Sequence, residues 1–195
     1  MEDNTDRPNA SMDLVSVLGM AVGSNAWTAL LGADADSLEL RTYPDTHYYN
    51  ARTRGVSFQV NPETSRVVTI DVYNAQPRWG TYTSYPIAIH YWADDTHERH
   101  LDITPTTKAI DLVQALGEPS RKGGAEAGGP TARALGPAMW TEWALSVDVP
   151  AVGRTTLYLL AEYAGEAARA RDRWEPGRGS EATWATLALS LVPPP

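Results

Sequence analysis

The chain has 195 residues, 24 acidic against 16 basic side chains for a formal charge of −8, and no cysteine. Absence of thiols excludes disulfide scaffolds, cysteine-ligated zinc, iron–sulfur clusters and thiol nucleophiles. The acidic balance argues against general nucleic-acid binding, because phosphate contacts call for a basic excess.

Residues 1 to about 12 are polar and acidic and read as a disordered tail, opposite in character to the basic start of a signal peptide. Together with the missing cysteines this sets a cytoplasmic location as the expectation. Leu14 to Ala33 carries no charge, but Gly19, Gly23, Ser24, Asn25 and Gly32 interrupt it and no basic anchor flanks it closely. No transmembrane segment is therefore expected. Leu14–Leu18 reads as a strand, and Ser24 as the N-cap of a short helix from Asn25 to Leu31 closed by Gly32. Leu38 and Leu40 then alternate with Glu39 and Arg41 before a turn at Pro44-Asp45.

Val56, Phe58 and Val60 fall on one strand face, and Val68, Ile70 and Val72 on one face of the next. Asn61-Pro62-Glu63-Thr64 between them is turn chemistry, so Gly55 to Tyr73 is expected to be a hairpin. Pro86 to Trp92 reads as a strand ending in a polar loop, Ala93 to Arg99. Thr104 and Pro105 introduce a helix to Leu116, with Ile110, Val113 and Leu116 as its apolar stripe, Gly117 as its cap and Pro119 as its stop. A Gly/Ala-rich loop follows, from about Ser120 to Gly136. Strand alternation returns at Trp143–Val149, Leu157–Ala161 and Leu187–Leu191.

Both halves place a short helix ending in Leu-Gly before strand-like segments, at Leu31-Gly32 and at Leu116-Gly117. This predicts an α+β fold of two similar units, each a short helix plus an antiparallel three- to four-stranded meander. The first unit would run over 13–103 and the second over 104–192.

Candidate chemistry is sparse. His97-Glu98-Arg99-His100 after Asp94 and Asp95 is the densest set of metal-type ligands, but its histidines are three apart on a loop, whereas the metalloprotease pattern needs four on a helix. A solvated loop is the simpler reading, and no metal or cofactor is expected. Gly177–Ala182 satisfies a dinucleotide fingerprint formally but follows no strand. Arg121 and Lys122, after a helix C-terminus and before Gly123-Gly124, could bind an anion through backbone amides and two cations. Arg169, Arg171, Arg173 and Arg178 gather around Trp174 in an otherwise acidic chain, a patch suited to an acidic partner or an anionic lipid headgroup. Against this, such clusters commonly only solubilise a face. The Tyr and Trp residues of the first half fall on or beside strands, where they pack at sheet edges or line a cleft or partner surface.

Tyr48-Tyr49-Asn50, Gly55 to Phe58, Ile70-Asp71-Val72-Tyr73-Asn74 and the helix end Leu116-Gly117-Glu118-Pro119 together resemble the phagophore assembly factor family, mainly over residues 14–119. The resemblance implies an α+β protein without known catalysis that works with a protein partner and with early autophagic membranes. The leading expectation is accordingly a non-enzymatic, intracellular interaction module with a protein partner. Its alternatives are a small-molecule or lipid-binding domain with an aromatic cleft, and third, a hydrolase built on the His97/His100 loop.

Overall fold

Asn61 accepts the backbone N–H groups of Glu63 and Thr64 on its side-chain oxygen, both at 2.9 Å, and so closes the turn between β4 (Val56–Asn61) and β5 (Arg66–Tyr73). This hairpin is the seed from which the first part of the sheet can be followed in a computed structural model. That structure describes residues 11–74, 82–124, 139–169, 174–175, 177 and 179–193. The remaining strands are β1 (Met12–Asp13), β2 (Glu39–Thr42), β3 (His47–Ala51), β6 (Ile87–Trp92), β7 (Glu98–Ile103), β8 (Arg121–Gly123), β9 (Met139–Val149), β10 (Gly153–Ala164) and β11 (Thr183–Ser190). Two α-helices, α1 (Asn25–Leu31) and α2 (Ala109–Leu116), complete the regular structure together with short 3-10 turns.

All eleven strands form one sheet in the order β1-β6-β9-β10-β11-β5-β4-β3-β2, with β7 on β6 and β8 on β9. Among the described residues only the β1–β6 pair is parallel. This overturns the expectation of two helix-plus-meander units. β11 pairs with β5 from Thr186–Tyr73 to Ser190–Thr69, so the strands of both halves make a single mixed sheet with one shared core. The physical reason is plain. Each half would otherwise leave an unpaired strand edge and a half-covered apolar face, and edge-to-edge pairing satisfies the first while merging the second.

One face of the sheet is the core face. Phe58, Ile70, Leu189, Leu159 and Val147 lie on it with almost no exposure, and α1, α2 and the segment around Leu14–Leu18 cover it. That segment is a 3-10 turn at Val15–Val17 rather than the expected strand. A short apolar run carries no period by which to tell the two apart. Ser24 caps α1 as expected, accepting the N–H of Trp27 at 3.4 Å, and Trp27 packs its ring on Phe58 and Tyr49. Around α2 the aromatic side chains of the sheet hold helix-flanking carbonyls. Trp184 donates to Thr104 at 2.8 Å, Tyr91 to Ala115 at 3.0 Å and Trp143 to Gly117 at 3.0 Å. Phe could fill the same space but could not make these bonds, which accounts for part of the Trp and Tyr excess.

The other face is polar, with its side chains half-buried or, at Asn50 and Ser57, buried. Along it run Tyr48 and Asn50 of β3, Ser57 and Gln59 of β4, Thr69, Asp71 and Tyr73 of β5, and Glu162 of β10. No described helix is long and apolar enough to cross a membrane.

Candidate binding cleft

On the polar face, near the β2 edge, the chain forms a cleft of about 560 Å³. Its walls are tyrosines from four separate stretches: Tyr43 after β2, Tyr48 on β3, Tyr73 on β5, and Tyr82 ahead of β6. The rings come in two pairs. Tyr43 and Tyr48 meet edge to face at 5.7 Å, and Tyr73 and Tyr82 lie 4.3 Å apart at a tilt of 45°.

The floor is held by Asn50, which is buried. Its amide oxygen accepts from Ser57 Oγ at 2.7 Å and from Tyr82 Oη at 2.9 Å, while its Nδ2 donates to the Glu39 carbonyl at 3.0 Å. Gly55 sets the approach of the segment that carries Tyr82. At φ +65° it takes a left-handed conformation, and a Cβ there would lie 2.0 Å from the carbonyl oxygen of Thr83. Thr83 N–H in turn donates to the Arg52 carbonyl at 3.0 Å. Only glycine allows so close a passage at that φ.

The cleft divides electrostatically. On one side Glu39 binds Arg41 through Oε1 at 2.7 Å and Arg52 through Oε2 at 2.6 Å, and the Arg52 guanidinium sits 4.8 Å from the Tyr82 ring centroid. The hydrogen bonds from Arg52 and then Arg41 hold the Glu39 carboxyl down at about 2. On the other side is Asp45. Asp71, beside Ser57 in the register, is not among the residues that line the cleft. Burial pushes the Asp71 carboxyl up to about 6, against the pull of a 2.8 Å bond from Gln59 Nε2, and the charge of Glu162 adds to the rise. Burial raises the phenols of Tyr48 and Tyr73 as well, and in both cases the Asp71 carboxylate is the next cause.

Residues singled out in the sequence are distributed differently. Arg121 and Lys122 are not in a loop but on β8, paired with β9. Arg121 faces the buried Glu142 at 3.7 Å and the Trp140 ring at 5.8 Å, and Lys122 bonds Glu118 at 2.7 Å. The structure brings Lys122 to Trp174, with Nζ 5.7 Å from the ring. Arg169 is exposed at the end of a 3-10 turn, Ala167–Arg169. Arg171, Arg173 and Arg178 lie outside the described residues.

The histidine segment is likewise rearranged. Glu98 and His100 belong to β7 instead of a loop, while His97 closes a turn by bonding Asp94 at 2.9 Å. His100 meets His90 across the β6–β7 pair at 3.3 Å and Asp102 at 2.9 Å. Among the described residues no group of three or more His, Asp or Glu could hold a metal ion.

The sequence signal for the cleft was the character of one strand face. Opposite the apolar Phe58 and Ile70 stand Tyr, Asn, Ser, Gln and Asp, short hydrogen-bonding groups and rings in place of the Lys and Glu that usually solvate a sheet. No family model, curated protein or solved structure matches the chain.

Proposed function

We propose that this chain is a binding module without catalytic chemistry, whose working surface is the polar face of the sheet centred on the tyrosine cleft. The observation that carries this reading is the convergence of four tyrosines from separate stretches around one hollow, on the sheet face opposite the core. Aromatic walls with a few fixed polar groups are what small ligand sites are made of. An intracellular setting belongs to the same proposal, supported by the acidic, cysteine-free composition.

A second reading is the interaction module implied by the resemblance to the phagophore assembly factors. The edge favours it: Leu40 is 50% and Tyr43 53% exposed at β2, the terminal strand of the sheet. There an extended partner segment could add as a further strand.

Isotope-labelled protein screened by NMR against a chemically mixed ligand set tests the first reading. Shifts confined to Tyr48, Asn50, Tyr73 and Tyr82, and lost in Tyr82→Ala, are expected. A ligand set that leaves those signals unmoved would overturn it.

A further inference from the structure

β2 closes one side of the sheet, and among the described residues β3 is its only strand neighbour. Tyr43 donates its N–H inward to the Thr46 carbonyl at 2.9 Å, and Glu39 turns its carbonyl inward to the Asn50 side chain at 3.0 Å. Main-chain groups of successive residues point to opposite sides of a strand, so those of Leu40 and Thr42 face outward, away from β3. Leu38, just ahead of β2, is extended as well, at φ −69° and ψ 135°. The usual guards of such an edge are lacking: β2 carries no Lys or Pro, and its register with β3 runs without a bulge. Leu40 is half exposed and stands outside the apolar core cluster.

The side chains of this edge complement a copy of themselves. Glu39 and Arg41 share the cleft face with Asn50 and Tyr48, while Leu40 lies on the opposite face with Tyr49. A second β2 laid antiparallel has few registers open to it. Centred on Arg41 or on Glu39, it sets two arginines or two glutamates directly opposite each other. Centred between residues, it sets an outward residue against an inward one and loses the ladder. Centred on Leu40, it places Leu40 against its own copy in a hydrogen-bonded pair. Glu39 then meets the partner's Arg41, and Arg41 the partner's Glu39, in the closer non-hydrogen-bonded pairs.

We propose, building on the edge reading of function, that β2 pairs antiparallel with the β2 of a second copy of this chain, about a two-fold axis at Leu40. Such an axis stands perpendicular to the joined sheet, so both clefts fall on the same side of it. Arg41 lines the cleft, and the partner's Glu39 therefore takes a place at its rim. Glu39 bridges its own Arg52 and the partner's Arg41 in the pair.

Sedimentation equilibrium of the full chain over a concentration series at moderate salt tests the pairing. The parent is expected to follow a monomer–dimer equilibrium. Leu40→Lys, at an exposed site, puts like charges on the axis and should weaken association about tenfold or more. Glu39→Arg and Arg41→Glu should each do the same, because each new charge meets its like across the axis. Mixed in equal amounts, those two variants oppose arginine to glutamate at both positions and should regain a heterodimer within about fivefold of the parent affinity. Circular dichroism confirms that each variant is folded. A chain monomeric up to its solubility limit, a dimer indifferent to Leu40→Lys, or a mixture of reversals that stays monomeric would each overturn the proposal. A monomeric chain whose β2 amide signals shift with an added extended peptide would assign the edge to a foreign strand instead. A monomer that still binds ligand at Tyr48 and Tyr82 separates any of these failures from a failure of the cleft.

Discussion

Cationic side chains gather at two places along the sheet, and they differ in what surrounds them. At β8, Arg121 has Glu142 and Lys122 has Glu118, and each cation also lies by a tryptophan ring, Trp140 or Trp174. Gly123 there lies so close to Trp140 that a Cβ would stand 2.6 Å from the ring. At the cleft, Arg41 and Arg52 are bound by Glu39, yet Asp45 and four phenols beside them line a cavity of about 560 Å³. The density of charge along a sequence therefore marks a solvated ridge as readily as a site. What separates them is which groups remain after internal pairing, and whether space is left beside them.

The sharpest way to break the comparison is to close the cleft and leave the ridge alone. Gly55→Ala adds a Cβ against the Thr83 carbonyl at a backbone conformation that L-residues avoid. A destabilisation of about 3 kcal/mol is expected from strain and overpacking together, read as a lowered midpoint in urea. Ligand-induced shifts at Tyr82 should vanish with it, while the Lys122 and Trp174 signals stay in place.

A smaller effect of opposite sign is expected at Asp71, the buried carboxyl beside Ser57. Burial pushes it up to about 6 in the folded chain, above the ordinary carboxylate range. The native protein thus takes up a proton more readily than the unfolded chain, and the stability this linkage adds at low pH is lost as pH rises from near 4 through 6. Asp71→Asn removes the penalty. The variant should be more stable than the parent by on the order of 1–2 kcal/mol at pH 8, with the advantage shrinking below pH 6 and gone near pH 4. Urea melts across that range would show it. A constant advantage at every pH would mean that the gain is not electrostatic.

The legibility of these features in the sequence follows the range of the interactions behind them. α1 and the β4–β5 hairpin were readable because their determinants are local: Ser24 and Trp27 are three residues apart, and Asn61 closes its own turn. The joining of β11 to β5 was not readable. Its register brings Thr69 to Ser190, a separation of 121 residues, and nothing in either strand's alternation names its neighbour. β7 was read as part of a loop because Glu98, Arg99 and His100 are all exposed and leave no alternation to see. The aromatic character of the cleft was visible as a surplus of tyrosine, but its location was not. The bond between Asn50 and Tyr82 spans 32 residues and rests on the turn at Gly55.

The smallest expected effect lies on the ridge. Lys122 is paired with Glu118 four residues away, both substantially exposed, and its Nζ lies near a Trp174 ring that is itself 42% exposed. An ion pair in that setting gains little over its hydrated parts, and a cation near an exposed ring adds a few tenths more. Lys122→Met keeps the aliphatic stem that lies along β8 and removes only the charge. A destabilisation of less than about 0.5 kcal/mol is expected, read as a small shift of the urea midpoint. If this substitution instead abolished binding of an acidic partner or of anionic vesicles while leaving the cleft intact, the ridge would be a second working surface. The internal pairing of its cations would then be a resting state that a stronger anion displaces from Glu118.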